Sequence, residues 1–390
     1  MSVAIDRDQA FLAAIRRIAD EVAAPNADDV DRNARFPAET VEALRAERAL
    51  SSYIPEEYGG DGVSFEAIAA ACFELGRRCG ASAMVFAMHQ IQIAAIARHV
   101  EGATWFEAYL RDVAREQRLV ASVTSEIGTG GDIGKSIASV QPGDDGLATF
   151  EKQAPTVSYG AYADDLLTTL RRAPDAEPGD QVVVLTHRDQ HTLEQTGTWD
   201  PMGMRGTCSP GYVVRATFPT EQVLPTPFST VGTESMVPIS HILWSHLWLG
   251  ISTDAFDRAR AFVRASAKGR PDQLPPTAVR LSQLMSELSL LRAEVSTGLR
   301  DFTEASAGER EALSTMATIL RFNNLKIAAS EQAPRVCQGA MSVCGIVGYK
   351  NDTPFSVGRH LRDTMSACLM VANDRIHQTN ASLLLIAKDV

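Results

Sequence analysis

The hydrophobic period of this chain changes twice, and that double change most narrows the folds open to it. Up to about residue 118, apolar residues recur at helical spacing: Phe11, Ile15 and Ile18, then Val41, Leu44 and Leu50 after a Phe36-Pro37 start. An Ala-rich helix is expected over 65–77. A second, over 82–98, is apolar on most faces and so belongs at the centre of its bundle. From Leu119 to about Val231 the pattern becomes short β-leaning runs, at 147–150, 165–170, 181–186 and 212–217, punctuated by Pro, Gly and Asp. Helical spacing returns near Ile239 in four long amphipathic stretches, around 243–262, 279–299, 309–337 and 357–386. The loops between them are short, and Pro271, Pro275 and Pro276 stiffen the one at 270–276. The expected architecture is mainly α with a central β domain. It comprises an all-helical domain over 1–118, a small antiparallel β-barrel or sandwich over 119–232, and a four-helix bundle over 233–390.

A net charge of -11 argues against a nucleic-acid partner, which needs a basic face. No apolar run approaches the roughly 20 residues of a membrane span. Acids at Asp6 and Asp8 leave no signal-type apolar core at the start, so a cytoplasmic protein without membrane contact is expected. The six cysteines form no CxxC pair and no His/Cys metal spacing, which reads as reduced, partly buried thiols and no metal site.

Where the β pattern begins, the apolar run 119–124 leads into Ser125-Glu126-Ile127-Gly128-Thr129-Gly130-Gly131-Asp132. Glycine admits positive φ and lets backbone N–H groups approach a ligand closely. Such a turn makes a concavity for anionic or carbonyl oxygens. A plain surface loop would use the same residues, and the spacing is not the GxGxxG of dinucleotide-binding folds.

An all-α unit, a small β unit and a helical bundle in that order, with a Gly-rich turn where β begins, resemble the acyl-CoA dehydrogenase family. The likeness spans essentially the whole chain and rests on five stretches. Ile54-Pro55-Glu56-Glu57-Tyr58-Gly59-Gly60-Asp61-Gly62 is similar to the family's early turn, and 123–132 to its flavin loop. Met202-Gly203-Met204-Arg205-Gly206-Thr207-Cys208-Ser209 resembles its second loop, 342–349 its late Gly-rich turn, and Arg362-Asp363 the pair before the last helix.

The resemblance implies FAD. Backbone amides of Val123 and Ser125, with the Ser125 hydroxyl, would meet the pyrimidine edge of the flavin ring. Ser158 would keep a hydroxyl near N5, while Thr156 replaces the family's stacking indole. Gly130 and Gly131 would face phosphate, although Gly131 stands where a serine is usual. Arg264, Lys268 or Arg270 would replace the missing arginine of the pyrophosphate clamp, which the neighbouring subunit of the oligomer supplies, with Gly345, Asn373 and Arg375 as further contacts. The family works as homodimers or homotetramers, for which Leu243, Trp244, Leu247 and Trp248 offer apolar surface, although burial within one subunit explains them equally.

The family's catalytic carboxylate is missing. Its place after Arg362-Asp363 counts to Val371, and its alternative place on the first bundle helix counts to Ser240 and His241. Removing an α-proton needs a base over the α-carbon with its pKa brought near working pH. Asp374, His241 and Glu126 are the candidates. One reading is therefore a dehydrogenase of an acyl thioester, linked to CoA or a carrier protein, that passes electrons to an electron-transfer flavoprotein or to oxygen. A second is a monooxygenase on the same fold using reduced flavin and oxygen, with which Trp199-Asp200 before the second loop is compatible. It would call on His89 or the more distant His377. A third is a family member that kept the fold as a binding or assembly partner.

Overall fold

The computed structural model describes residues 2–268, 274–308 and 310–387. Helices α1 (Ser2–Ile18), α2 (Ala24–Arg32), α3 (Ala38–Ala46), α4 (Phe65–Gly76), α5 (Gly80–Ala97) and α6 (Thr104–Glu116) come first. Ser64 starts α4 by accepting the Ala67 N–H at 3.2 Å, a side-chain N-cap. As its all-round apolarity foretold, α5 is almost wholly buried. It is long and apolar enough to pass for a membrane span, and what surrounds it is protein.

Seven strands follow among the described residues: β1 (Val120–Val123), β2 (Gln141–Pro142), β3 (Leu147–Ala154), β4 (Asp165–Arg171), β5 (Gln181–His187), β6 (His191–Gln195) and β7 (Tyr212–Pro219). They make two sheets, ordered β1-β4-β5 and β2-β3-β7-β6, and close no barrel. Pairing is antiparallel except between β1 and β4, which run parallel with Val120 opposite Asp165. β3 alternates exposed and buried residues along its length, as a strand with one solvated face must, whereas β4 and β5 are buried on both faces.

The C-terminal part holds α7 (Phe228–Val231), α8 (Val237–Ala267), α9 (Thr277–Ala307), α10 (Met316–Cys344), α11 (Ile346–Tyr349), α12 (Gly358–Met365) and α13 (Asn373–Leu384). Long helices α8, α9 and α10 pack on one another. The fourth member expected at 357–386 is not one helix, because residues 366–372 interrupt it with Val371 at φ +49°. A β-branched residue in the left-handed region is strained and ends helical hydrogen bonding. In the stretch expected to begin at 309, a short 3-10 segment (Arg310–Ser314) precedes α10, which starts at Met316 where the Thr315 side chain caps it. Residues 270–273 of the expected stiff connection, with Arg270 among them, lie outside the described residues. Leu243, Leu247 and Trp248 are fully buried within this one chain.

The helical layers meet at backbone contact. A Cβ on Gly76 of α4 would lie 2.5 Å from the Leu247 carbonyl of α8, and one on Gly250 of α8 would lie 2.3 Å from the Phe73 carbonyl of α4. The two glycines admit each other's helix, and any side chain would wedge the layers apart. Gly250→Leu should therefore destabilise by about 3 kcal/mol or more, read as a lowered urea midpoint. Gly197→Ala, which meets open space, should leave the midpoint in place.

Candidate functional site

A cleft of about 610 Å³ opens where the three parts of the chain converge. One wall is the Gly-rich turn after β1, which three contacts at Glu126 hold rigid. The Ser136 hydroxyl donates to Glu126 Oε2 at 2.7 Å, the Ala138 N–H donates to Oε1 at 2.6 Å, and Lys152 Nζ lies 3.5 Å from Oε2. Lys152 is fully buried on β3 and also donates to the Thr169 carbonyl at 2.6 Å. Burial lowers its pKa to about 8. With its oxygens so engaged, Glu126 is an anchor for the turn and not the base proposed from the sequence.

Beyond the anchor, Gly130 (φ +60°) and Gly131 (φ +83°) carry the turn through left-handed backbone. The Arg375 guanidinium from α13 lies directly over them. A Cβ on Gly130 would come within 2.7 Å of Arg375 Nη2, and one on Gly131 within 3.4 Å of Nε. A half-buried arginine over exposed amides is a site for an anion such as phosphate. Here the structure joins three residues that the sequence offered separately.

The next wall is made of hydroxyls. Ser125 Oγ donates to the Thr156 carbonyl at 2.6 Å, which ties the turn to the segment after β3. Ser158 Oγ accepts from Ser209 Oγ at 2.9 Å, and Ser209 pairs with Thr207 Oγ1 at 2.9 Å. This relay brings in Thr207 and Ser209, which sequence reasoning had placed only in a matching loop. Val123 turns its side chain into the core, while Ser122 and Thr124, on the opposite face of the strand, line the cleft. Val123 thus contributes backbone alone.

The floor comes from α5 and α8. Met84, Met88, Ile91 and Met236 make it apolar. His241 is 1% exposed. Its Nδ1–H donates to the Phe322 carbonyl of α10 at 3.2 Å, so Nε2 points the other way and has no partner among the described residues. Burial, reinforced by the Lys326 ammonium behind it, lowers the His241 pKa to about 3. The ring is neutral at working pH and presents a bare lone pair. Trp244 Nε1 and Gln92 Oε1 on the same cleft are likewise buried and unpartnered. Neither residue was singled out from sequence as part of a site. A glutamine interrupting an otherwise apolar helix was the available signal for Gln92.

Several expected contacts fall elsewhere. Asp374 and His377 are exposed on α13 and do not line the cleft. The interruption at 366–372 undoes the continuous-helix count that placed Asp374 beside Val371. Asn373 is buried in the bundle, where its Oδ1 accepts from Lys326 Nζ at 2.6 Å and its Nδ2 donates to Ser330 Oγ at 3.1 Å. Arg264 is exposed near the end of α8, and Gly345 forms an exposed turn after α10. His89 is structural: its Nε2–H donates to the Leu50 carbonyl at 2.7 Å and its Nδ1 accepts the Val120 N–H at 3.1 Å. Among the described residues no cluster of His, Cys, Asp and Glu suits a metal.

Residues 6–116 match the family described as acyl-CoA dehydrogenase, N-terminal domain. Those residues carry the N-terminal domain of the acyl-CoA dehydrogenase family. Like proteins of that family the chain is a flavoprotein oxidoreductase, and the turn, Arg375 and the hydroxyl wall suit a flavin. The chain is 24% identical over 366 residues to a probable acyl-CoA dehydrogenase, YngJ, of Bacillus subtilis, covering 90% of each chain. It is 25% identical over 390 residues to a probable FMNH2-dependent monooxygenase, SfnC, of Pseudomonas putida, covering 94% of this chain and 93% of that one. The fold matches FMN-bound TdsC from Paenibacillus sp. A11-2 with a TM-score of 0.82 at 19% identity, over 96% of this chain and 97% of that one. It matches butyryl-CoA dehydrogenase from Megasphaera elsdenii with 0.79 at 19%, over 97% and 98%.

Two measurements test this geometry. Lys152→Met leaves Glu126 buried without its cation and should cost about 3 kcal/mol of stability, with weakened flavin retention on gel filtration. Burial holds His89 and His246 at about 4 and His241 at about 3, all below the 6.5 of an unfolded histidine. The unfolded chain therefore binds more protons in acid. Stability should be intact above about pH 6.5 and fall steadily towards pH 4 in urea titrations, with a shallower fall for His89→Gln.

Proposed function

We propose that this chain is a reduced-flavin-dependent monooxygenase that takes FMN. One observation carries the reading. The only carboxylate among the described cleft residues is Asp132 on the glycine turn, where its Oδ1 accepts the Gly134 N–H at 3.0 Å. The wall where an acyl-CoA dehydrogenase needs its base offers Val371 and Ala372. A dehydrogenase that removes an α-proton requires such a group. Oxygen insertion does not: reduced flavin and O2 supply one oxygen atom to the substrate, release the other as water and regenerate oxidised flavin.

The chain's own residues support a short, monophosphate cofactor. Arg375 over Gly130 and Gly131 would hold one phosphate, and the hydroxyls of Ser125 and Ser158 would orient the ring. The names of SfnC and FMN-bound TdsC point the same way. A cytoplasmic homodimer or homotetramer, fed by a separate flavin reductase, completes the reading.

Supplied with NADH, FMN and a flavin reductase, the protein should couple O2 uptake to oxygenation of a small apolar aromatic compound. Bleaching of its flavin under nitrogen by a saturated acyl-CoA, with appearance of the enoyl product, would overturn the proposal in favour of a dehydrogenase. Arg375→Ala should weaken FMN binding roughly 10- to 100-fold, the loss of one or two charge-assisted hydrogen bonds, and leave riboflavin binding unchanged.

A further inference from the structure

We infer that the rim of the cleft is a site of self-oxygenation: in turnover without substrate, the thioethers of Met202 and Met365 take the oxygen atom and become methionine sulfoxide. The inference rests on the monooxygenase reading for its oxidant and on the placement of this chain's methionines for its sites. The cleft draws on 35 of the chain's 390 residues but on seven of its eleven methionines. Its walls are therefore far richer in thioether sulfur than the chain as a whole.

The seven are not equivalent. Met84, Met204 and Met236 are buried, whereas Met202 is 58% exposed and Met365 43%, and these two also line the cleft. They meet at one joint. The Met202 carbonyl accepts from Arg362 Nη1 at 3.0 Å, and Met365 follows Arg362 by three residues on α12, so the two share a helix face. From Met202 the loop runs on into the hydroxyl wall. Thr207 Oγ1 donates to the Met204 carbonyl at 2.9 Å, and Ser209 Oγ donates to Ser158 Oγ at 2.9 Å. The rim pair thus borders the wall whose hydroxyls would orient the flavin ring.

A thioether takes up one oxygen atom to become a sulfoxide. In the balanced step, reduced flavin, O2 and methionine give oxidised flavin, water and methionine sulfoxide. The O–O bond breaks and one oxygen forms an S–O bond on the sulfur lone pair. The other leaves as water with the two hydrogens given up by the flavin. Flavin and sulfur each lose two electrons, and O2 takes all four. A bound substrate competes for the same oxygen atom, so the methionines react when it is missing. The product also selects the rim over the deeper sulfurs. Sulfoxide is polar, and burying a polar group without a hydrogen bond is costly. Water supplies that bond at Met202 and Met365, and it does not reach Met84, Met204 or Met236.

The test uses the wild-type protein with FMN, NADH, a flavin reductase and catalase in air, with no organic substrate. Peptide mass spectrometry reads the sulfoxide fraction at four methionines. Met285 and Met316 are the controls, 47% and 42% exposed and outside the cleft. Met202 and Met365 should be oxidised several-fold more than the controls, and should stay unmodified under nitrogen. Bulk hydrogen peroxide, without reductase or catalase, should oxidise all four to similar extents. Thioanisole, a small aromatic thioether, should be converted to its sulfoxide during turnover and protect the rim pair. Equal oxidation of the four during turnover, or the same rim preference with bulk peroxide, would overturn the inference. Oxygenation of thioanisole with the rim pair at control level would do so too, and would leave the monooxygenase reading standing. If neither thioanisole nor any methionine gains oxygen, that reading falls and the inference with it.

Discussion

The cleft exists because Arg362 and Asp363 reach from α12 into both other parts of the chain at once. The Arg362 guanidinium pairs with both oxygens of Asp31 on α2 and donates to the Met202 carbonyl at 3.0 Å. Asp363 is buried and accepts the Met204 N–H at 2.7 Å, and burial lifts its pKa to about 6. An acid held in so dry a place is costly. It is tolerated because its bond fixes the loop that supplies Thr207 and Ser209 to the hydroxyl wall. Gly203 lies against the Arg362 carbonyl so closely that no Cβ would fit, which sets the loop onto α12 by shape as well as by charge.

Around that joint, rigidity is unevenly distributed in a way that suits a flavin site. The glycine turn is mobile by composition, but the buried Glu126–Lys152 contact and the Ser136 and Ala138 donors fix its first half to the sheet. Its second half is covered by Arg375. The result is a turn shaped in advance for an anion at one end and for hydrogen-bonding ring edges at the other. Pre-shaping of this kind lowers the ordering cost of binding.

Much of the fold was legible in the sequence because hydrophobic period reports directly on secondary structure. The apolar run of α5, the buried strands β4 and β5 and the long bundle helices follow from periods of 3.6 and 2. The interruption at 366–372 was not legible: Leu369, Met370 and Val371 within it continue an apolar helical pattern, yet Val371 takes φ +49°. The site divided along the same line. Ser125, Ser158, Gly130 and Gly131 sit in local motifs, and the structure brings all four to the cleft. Asn373 was misplaced, because nothing local says that Lys326 and Ser330, on another helix, will claim its side chain. Gln92 and Trp244 were missed for the converse reason: each looks like a core residue until the partner that should satisfy it is found to be absent among the described residues.

The break between α12 and α13 also bears on how such a scaffold diversifies. Within a continuous helix, each side chain's direction is tied to its neighbours by the helical turn, so a new group in the wall would have to respect the packing of a whole face. Residues 366–372 are released from that coupling, while α12 stays clamped by Arg362 and Asp363 and α13 keeps Arg375 over the turn. The wall opposite the flavin turn is thus an exchangeable panel in a fixed frame. A side chain there, Val371 in this chain, can change its chemistry without disturbing the packing of the bundle.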